Sequence, residues 1–303
     1  MEITGFLNIN KHPGPTSHDI VRILKRHLNL GKQIKIGHTG TLDPSASGVL
    51  VIGIGSANRL AEYILKHPKE YSGIINLGTA TTSLDADGDI TEKSKIPDFN
   101  QQDLDTSTTQ FMGKIMQVPP IVSALKSDGE RYYVKARRGE TTEPPAREVV
   151  VYDLNLKRID GSTIDLYVKC SSGFYVRSLA RDIARNLNTV GHLDKLVRRS
   201  VGPFKIEDAI NTNWIEQNGA KSTLDNKLYP LDTPMAILPR IEIEEHEAVL
   251  FIQGMKRFIE SPPDTPLNSD LAIYSRDDFL GIAQIREIEN KLQLKPKEVL
   301  FSQ

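Results

Sequence analysis

The sequence predicts a chain of mixed helix and strand in two parts, the second small, β-rich and C-terminal. Three observations carry that expectation. The 303 residues are enough for about two domains at roughly 100–200 residues each. Apolar residues recur with the helical period in some segments and with a period of two in others. Pro230, Pro234 and Pro239 cluster, and beyond them the chain breaks into short apolar runs. The charge changes nearby: residues 1–205 hold 28 Lys and Arg against 22 Asp and Glu, and residues 206–303 hold 10 against 17. The expected division is 1–232 and 233–303.

Residues 6–10 are short and apolar-leaning, and Lys11-His12-Pro13-Gly14-Pro15 makes a turn. Thr16 or Ser17 can cap a helix over roughly 18–30, with Ile20, Ile23, Leu24 and Leu28 on one face and Gly31 able to end it. Residues 37–48, rich in Gly, Thr, Ser and Pro, read as an ordered loop. Val49–Ile54 suits a buried strand or a helix start equally. Strands are expected at 71–78, 149–157 and 163–170, the last alternating Ile164, Leu166, Val168 and Cys170 on one face. Residues 178–188 suit a helix, with Leu179, Ile183 and Leu187 in line. Residues 119–147 combine prolines and glycines with Lys126, Arg131, Lys135, Arg137, Arg138 and Arg147, the composition of an exposed insertion. The C-terminal part suits a helix at 246–257 and short strands at 271–274, 279–285, 291–294 and 298–301.

The hydrophobic fraction of 39% and charged fraction of 25% are ordinary for a globular protein. A chain this long can bury a core without disulfides or metals. Cys170 is the only cysteine, which excludes an intramolecular disulfide and fits a reducing compartment. The first residues lack the basic start and apolar core of a signal peptide. No stretch approaches the roughly 18 uncharged apolar residues of a membrane span. A cytoplasmic protein with no membrane partner is expected. The basic balance of the first two thirds suits a polyanion. Gly53-Ile54-Gly55 begins like a dinucleotide fingerprint, but Asn58 stands where the third glycine belongs. Asp85-Ala86-Asp87-Gly88-Asp89 resembles a calcium loop, but its glycine comes too early and no glutamate closes it. One cysteine and scattered histidines do not make a zinc site. No metal and no nucleotide cofactor is expected.

Two clusters can carry chemistry. Asp43 precedes Pro44 among small residues, where a carboxylate is held at fixed geometry with little around it. A nucleophile or general base requires this. Aspartate before proline is equally a turn former, and a loop histidine such as His38 is often structural. Tyr175 and Arg177 follow Cys170-Ser171-Ser172-Gly173-Phe174. An arginine there can pair with a buried aspartate, holding it ionised and oriented, and a tyrosine can stack on a planar base. A core aromatic and a surface charge are the competing reading.

Taken together, these segments resemble the TruB family, the bacterial tRNA pseudouridine(55) synthases. Lys11 through Asp19 is similar to the family's Lys-Pro-x-Gly-x-Ser/Thr-Ser opening. Gly37-His38-Thr39-Gly40-Thr41-Leu42-Asp43-Pro44-Ser45-Ala46-Ser47-Gly48-Val49-Leu50 resembles its catalytic loop. Lys69-Glu70-Tyr71, with Gly78-Thr79 and Asp85-Ala86-Asp87-Gly88, resembles its second motif. Pro119-Pro120 through Lys126 resembles the start of its RNA-gripping insertion, and Cys170 through Leu179 its third motif. The resemblance runs from about residue 3 to 210. It continues more loosely into a segment similar to the PUA domain, a small RNA-binding β-barrel. His12 stands where proline is usual, and Leu196-Val197-Arg198-Arg199 replaces the commoner Leu-Arg-Arg.

The resemblance implies an α+β fold: a catalytic domain around a central, mainly antiparallel mixed sheet, with a cleft across one face, followed by the PUA-like domain. It implies an enzyme that converts uridine to pseudouridine in the T-loop of tRNA, with the T-arm stem-loop as partner. A monomer is expected, and no cofactor, because nothing is oxidised or hydrolysed overall. Asp43 would be the catalytic carboxylate, and Arg177 would pair with it. Tyr71 would contact the target base and relay a proton at its C5. Tyr175 would line the base pocket or stack in it. His38 would lie against the RNA near the flipped nucleotide, Leu196 would be an apolar wall, and Lys11 would support the loop or a phosphate. Attack by Asp43 at C1′, attack at C6 and removal of the C2′ proton all remain open. An RNA chaperone without chemistry and a hydrolytic N-glycosidase are the alternatives. Function retained in Asp43→Asn would favour the first, and release of free uracil the second.

Overall fold

The computed structural model describes residues 3–28, 33–123, 142–212, 226–259 and 266–300, with Ile215 and positions 125–127, 129–132, 134 and 138. Gly31, Lys135, Arg137 and the last residue of the strand expected at 298–301 lie outside the described residues.

The chain opens with β1 (Gly5–Lys11) and α1 (Ser17–His27). Thr16 caps α1: its hydroxyl accepts from the Asp19 amide while the Asp19 carboxylate accepts from the Thr16 amide. This reciprocal cap satisfies two otherwise orphaned donors. Ile20 and Leu24 face the sheet and are fully buried. β2 (Ile36–His38) and β3 (Ser47–Ile54) follow. β3 is buried on both faces, with Leu50, Ile52 and Ile54 toward α1 and Val49 and Val51 toward the other side. That double burial explains why its apolar run shows no period.

Next come a 3-10 turn at Gly55–Leu60, α2 (Ala61–Lys66), β4 (Lys69–Leu77), β5 (Thr79–Thr81), β6 (Ile90–Lys93) and α3 (Gln101–Gln110). After them lie β7 (Gly113–Gln117), the short β8 (Lys126–Ser127) and β9 (Glu130–Arg131), β10 (Arg147–Arg158) and β11 (Thr163–Cys170). α4 (Val176–Asn186), β12 (Gly191–Val201), β13 (Phe204–Lys205) and β14 (Ile210–Asn211) complete this part.

The main sheet runs in the order β14-β1-β3-β12-β4-β11-β10-β7, with β2 on β3 and β13 on β12. Its pairs are antiparallel except β1 with β14 and β3 with β12. α3 and α4 cover one face over Ile75, Leu104, Ile164, Leu166, Leu179 and Ile183. The fold is thus α+β with a mixed, mainly antiparallel sheet, as the sequence leads one to expect.

β15 (Arg240–Glu242), α5 (Glu245–Ile252), β16 (Arg257–Ile259), β17 (Asp270–Ser275), β18 (Asp278–Ile288) and β19 (Lys291–Val299) form a second, five-stranded sheet in the order β15-β17-β18-β19-β16. The helix expected to reach residue 257 ends at Ile252, because Gly254 takes a left-handed conformation. The two short strands expected around Pro296 are one, β19. Pro296 sits at a register shift opposite Ala283, and β16 pairs only with Leu292–Leu294. Proline is therefore tolerated on an outer stretch with no ladder bond to give up.

The two sheets share an apolar seam. Phe6, Tyr63, Ile64 and Phe204 from the first part pack with Met235, Ala272, Tyr274 and Ile282. A polar cluster sits at the seam: the Tyr63 hydroxyl donates to Asp270 at 3.0 Å and Lys297 donates to Asp270 at 2.8 Å. Gln284 donates to the other Asp270 oxygen at 2.7 Å.

Candidate active site

The loop between β2 and β3 is held mostly through its backbone. Ser17 at the start of α1 is buried, and its hydroxyl donates to the Leu42 carbonyl at 3.0 Å while accepting from the Leu42 amide at 2.9 Å. Lys11 is fully buried and donates to the carbonyls of His12, Pro15 and Pro44, each at 3.0 Å. Arg198, 3% exposed, donates to the carbonyls of Val49, Thr41 and Gly40 at 2.7, 3.1 and 3.3 Å. Thr39 anchors the entry through the Val51 carbonyl, and Leu42 and Ala46 bury their side chains. Gly48 closes the loop with φ +104°, where a Cβ would lie 2.2 Å from the Arg198 carbonyl oxygen. Only glycine allows β3 to approach β12 so closely.

These anchors leave the Asp43 side chain 39% exposed, and Arg177 reaches it at 3.0 Å. Arg177 itself is buried at the start of α4. It also faces Asp85 at 3.4 Å and donates to the carbonyls of Ser83 and Val122 at 2.8 and 3.3 Å. The guanidinium thus ties the loop, the β5–β6 connection and the segment before β8 together. Asp85 is in turn fixed by the Ser83 hydroxyl and the Asp87 amide. Asp43, Asp85, Arg177 and Leu196 line one small cleft with Ser45, Ala46 and the Leu193–Lys195 stretch of β12.

Tyr71 on β4 is buried, with its hydroxyl bonded to Arg198 and within electrostatic reach of Asp43. Burial pushes that hydroxyl up to about 12, so it is a neutral phenol at ordinary pH. Lys11 lies beneath the loop. Its three ammonium hydrogens are spent on carbonyls, which leaves none for a phosphate. Burial pushes Lys11 down to about 8, with Arg198 adding and Asp43 opposing. His38 on β2 is half-buried, and its Nδ1 has no hydrogen-bond partner among the described residues. Burial lowers its pKa, helped by His18 and Arg198. Tyr175 does not line the cleft. The Arg147 guanidinium lies 4.9 Å from its ring centre, and its backbone exchanges hydrogen bonds with the Gln117 side chain.

Arg198 and Ser17 escaped sequence reasoning as loop supports. Asp85 was visible in a failed calcium pattern and in the second family-like motif, but neither linked it to Arg177, so far along the chain. Among the described residues, no three His, Cys, Asp or Glu side chains converge to hold a metal ion.

The N-terminal-domain model of the TruB family of pseudouridylate synthases matches residues 25–176. The chain belongs to the TruB family. A tRNA pseudouridine synthase B of Caldanaerobacter subterraneus is 36% identical over 295 residues, covering 96% of this chain and 99% of that protein. Proteins of the same description from Francisella tularensis subsp. novicida and Staphylococcus aureus are 37% and 34% identical, covering 94% and 97% of this chain and 92% and 98% of theirs. Among solved structures, an H/ACA RNP bound to a substrate RNA containing 2′-deoxyuridine matches at 22% identity. It has a TM-score of 0.74 and covers 98% of this chain and 85% of that one. An archaeal box H/ACA sRNP complex matches at 23% identity with a TM-score of 0.72, covering 97% and 85%. At such identities the likeness establishes the fold. This TruB chain keeps Leu196 on the cleft and Arg198 under the loop, although Val197 interrupts the family's commoner sequence there.

Proposed function

We propose that this chain isomerises uridine to pseudouridine in tRNA, at position 55 of the T-loop, with Asp43 as the catalytic carboxylate. One observation carries the assignment of Asp43: an accessible carboxylate, ion-paired to a buried arginine, on a loop whose backbone is fixed from below. The target uridine leaves its stack, which costs a few kcal/mol. The C1′–N1 bond breaks with its electron pair leaving on N1, the uracil turns, C1′–C5 forms, the proton on C5 is lost and N1 takes up a proton, so that the product is an isomer of the substrate. Positive charge develops at C1′ during cleavage, and a fixed carboxylate beside it stabilises that charge. Arg177 orients Asp43 and is itself oriented by Asp85. Tyr71, a neutral phenol against the base, relays the C5 proton. Leu196 walls the pocket, Tyr175 stacks on the base from outside the small cleft, and His38 lies against the RNA. The basic insertion at 119–147 grips the RNA, with Lys and Arg contacts to phosphate weakening as salt rises.

We assign residues 1–232 to the catalytic domain and 233–303 to a PUA-like domain. This reading is supported by the fact that every strand of the main sheet precedes residue 212 and every strand of the second follows residue 239. No described helix is long and apolar enough to cross a membrane. We take the protein to act on tRNA in the cytoplasm and as a monomer.

Incubation of the purified protein with a T-arm stem-loop, followed by pseudouridine mapping, tests the reading. Asp43→Asn is expected to bind the hairpin but form no pseudouridine. Multiple-turnover product from that variant would sink the assignment of Asp43. Free uracil in place of pseudouridine would point to a glycosidase instead.

A further inference from the structure

The cleft around Asp43 has an unusual charge inventory for a surface that meets RNA. Three of its lining residues are carboxylates, Asp43, Asp85 and Asp194, and two are cations, Arg177 and Lys195. Arg177 is 7% exposed on its side chain and committed to Asp43, Asp85 and two carbonyls. Both of its terminal nitrogens are thus engaged within the protein, and the side chain is turned inward from the mouth. Lys195 is exposed. Its ammonium has no hydrogen bond or ion pair among the described residues.

The fold places Lys195 there deliberately. Between Leu193, opposite Ile75, and Lys195, opposite Ile74, β12 carries one extra residue, Asp194. Such a bulge breaks the alternation of faces and re-aims the side chains around it. The backbone at Lys195 is fixed from across the ladder. A Cβ at Gly73 would lie 2.8 Å from the Lys195 carbonyl oxygen, so glycine there lets β4 close on it. Leu193 is buried and Leu196 packs against the core on either side. The side chain is therefore without a partner among the described residues, while its root is held.

A nucleotide whose C1′ reaches Asp43 carries its own phosphates to the mouth of the same cleft, where three carboxylates repel them. We propose that Lys195 binds a backbone phosphate of the RNA at or beside the flipped uridine, and that it is the cation which lets a polyanion approach this acidic cleft. The inference rests on the reading of the chain as a tRNA pseudouridine synthase.

The test uses the full chain and a T-arm stem-loop, with Lys195→Ala, Lys195→Gln and Lys195→Arg. In Lys195→Ala and Lys195→Gln, KM should rise while the single-turnover rate at saturating RNA stays near wild type. The slope of log KM against log salt should shrink by roughly 0.7–0.9. The difference in KM from wild type should therefore narrow about threefold between roughly 50 and 200 mM salt. Lys195→Arg should restore the wild-type slope. A neutral methylphosphonate at the contacted phosphate should weaken wild type but leave Lys195→Ala no worse. A wild-type KM and salt slope in Lys195→Ala would overturn the proposal, and so would a raised KM with an unchanged slope. If wild type itself makes no pseudouridine on the hairpin, the functional reading fails instead.

Discussion

The Asp43 loop and the seam between the two sheets both bury charge, but they dispose of it in opposite ways. At the seam, Lys297 and Asp270 meet directly, and Tyr63, Gln284 and Glu62 complete the cluster. Against the cost of burial, the bonds to Asp270, Tyr63 and Glu62 push the Lys297 ammonium above its usual range. Asp270, also against burial, is pulled down by Lys297, Gln284 and Tyr63. Under the loop, Lys11 and Arg198 face neutral carbonyls, and burial pushes Lys11 down to about 8. The same residue type shifts in opposite directions because one has a carboxylate partner and the other has dipoles. The seam is electrically closed and acts as an adhesive. Beneath the loop the two cations are spent on backbone carbonyls, so they fix the position of Asp43 without neutralising the cleft above it.

That contrast can be broken in graded ways. Arg177→Lys keeps the charge but loses the fork that spans Asp43, Asp85 and two carbonyls. We expect a fall of about 10²-fold in the single-turnover rate, and a rate within a few-fold of wild type would show that charge alone is enough. Arg198→Met strips three carbonyls of their donor, and each unmet partner costs roughly 1–3 kcal/mol before relaxation. Urea unfolding should show a loss of about 2–4 kcal/mol, and an unchanged midpoint would mean the loop does not need this support.

Lys11 gives a pH signature. Below about 8 the lysine is protonated both folded and unfolded, and the cost of burying its charge is fully present. Between about 8 and 10.5 the folded protein sheds the proton while the unfolded chain keeps it, so stability rises with pH. The wild-type value minus that of Lys11→Met should climb across this window by up to about 3 kcal/mol, and a flat difference would contradict it. Tyr63→Phe at the seam is expected to be the mildest, about 1 kcal/mol in unfolding free energy. Asp270 retains Lys297 and Gln284, so activity on the hairpin should hold; a loss of activity would mean the seam is coupled to the site.

The sequence made some of this legible and hid the rest for identifiable reasons. β11 was found at residues 163–170 because one face alternates cleanly into the core. β12, central to the sheet, was missed because two register shifts and four charged residues destroy its period of two. α3 was missed because Leu104 and Ser107 are its only buried residues, too few to draw an apolar stripe. In the site, the expected pairing of Asp43 with Arg177 has its counterpart in the structure at 3.0 Å. Lys11, by contrast, proves to be fully interior. Arg198 offered no warning, since a buried arginine holding backbone carbonyls looks in sequence like any exposed cation.

The Gly48–Arg198 contact has a practical consequence. β3 and β12 are joined by two registered pairs, Ser47 with Val197 and Gly48 with Arg198, and these join the two antiparallel halves of the main sheet. A methyl group at residue 48 would wedge the halves apart where Arg198 grips the loop. A saturation screen scored by activity alone will therefore rank position 48 beside Asp43 and invite a chemical role for a residue that has no side chain. Its contribution is clearance.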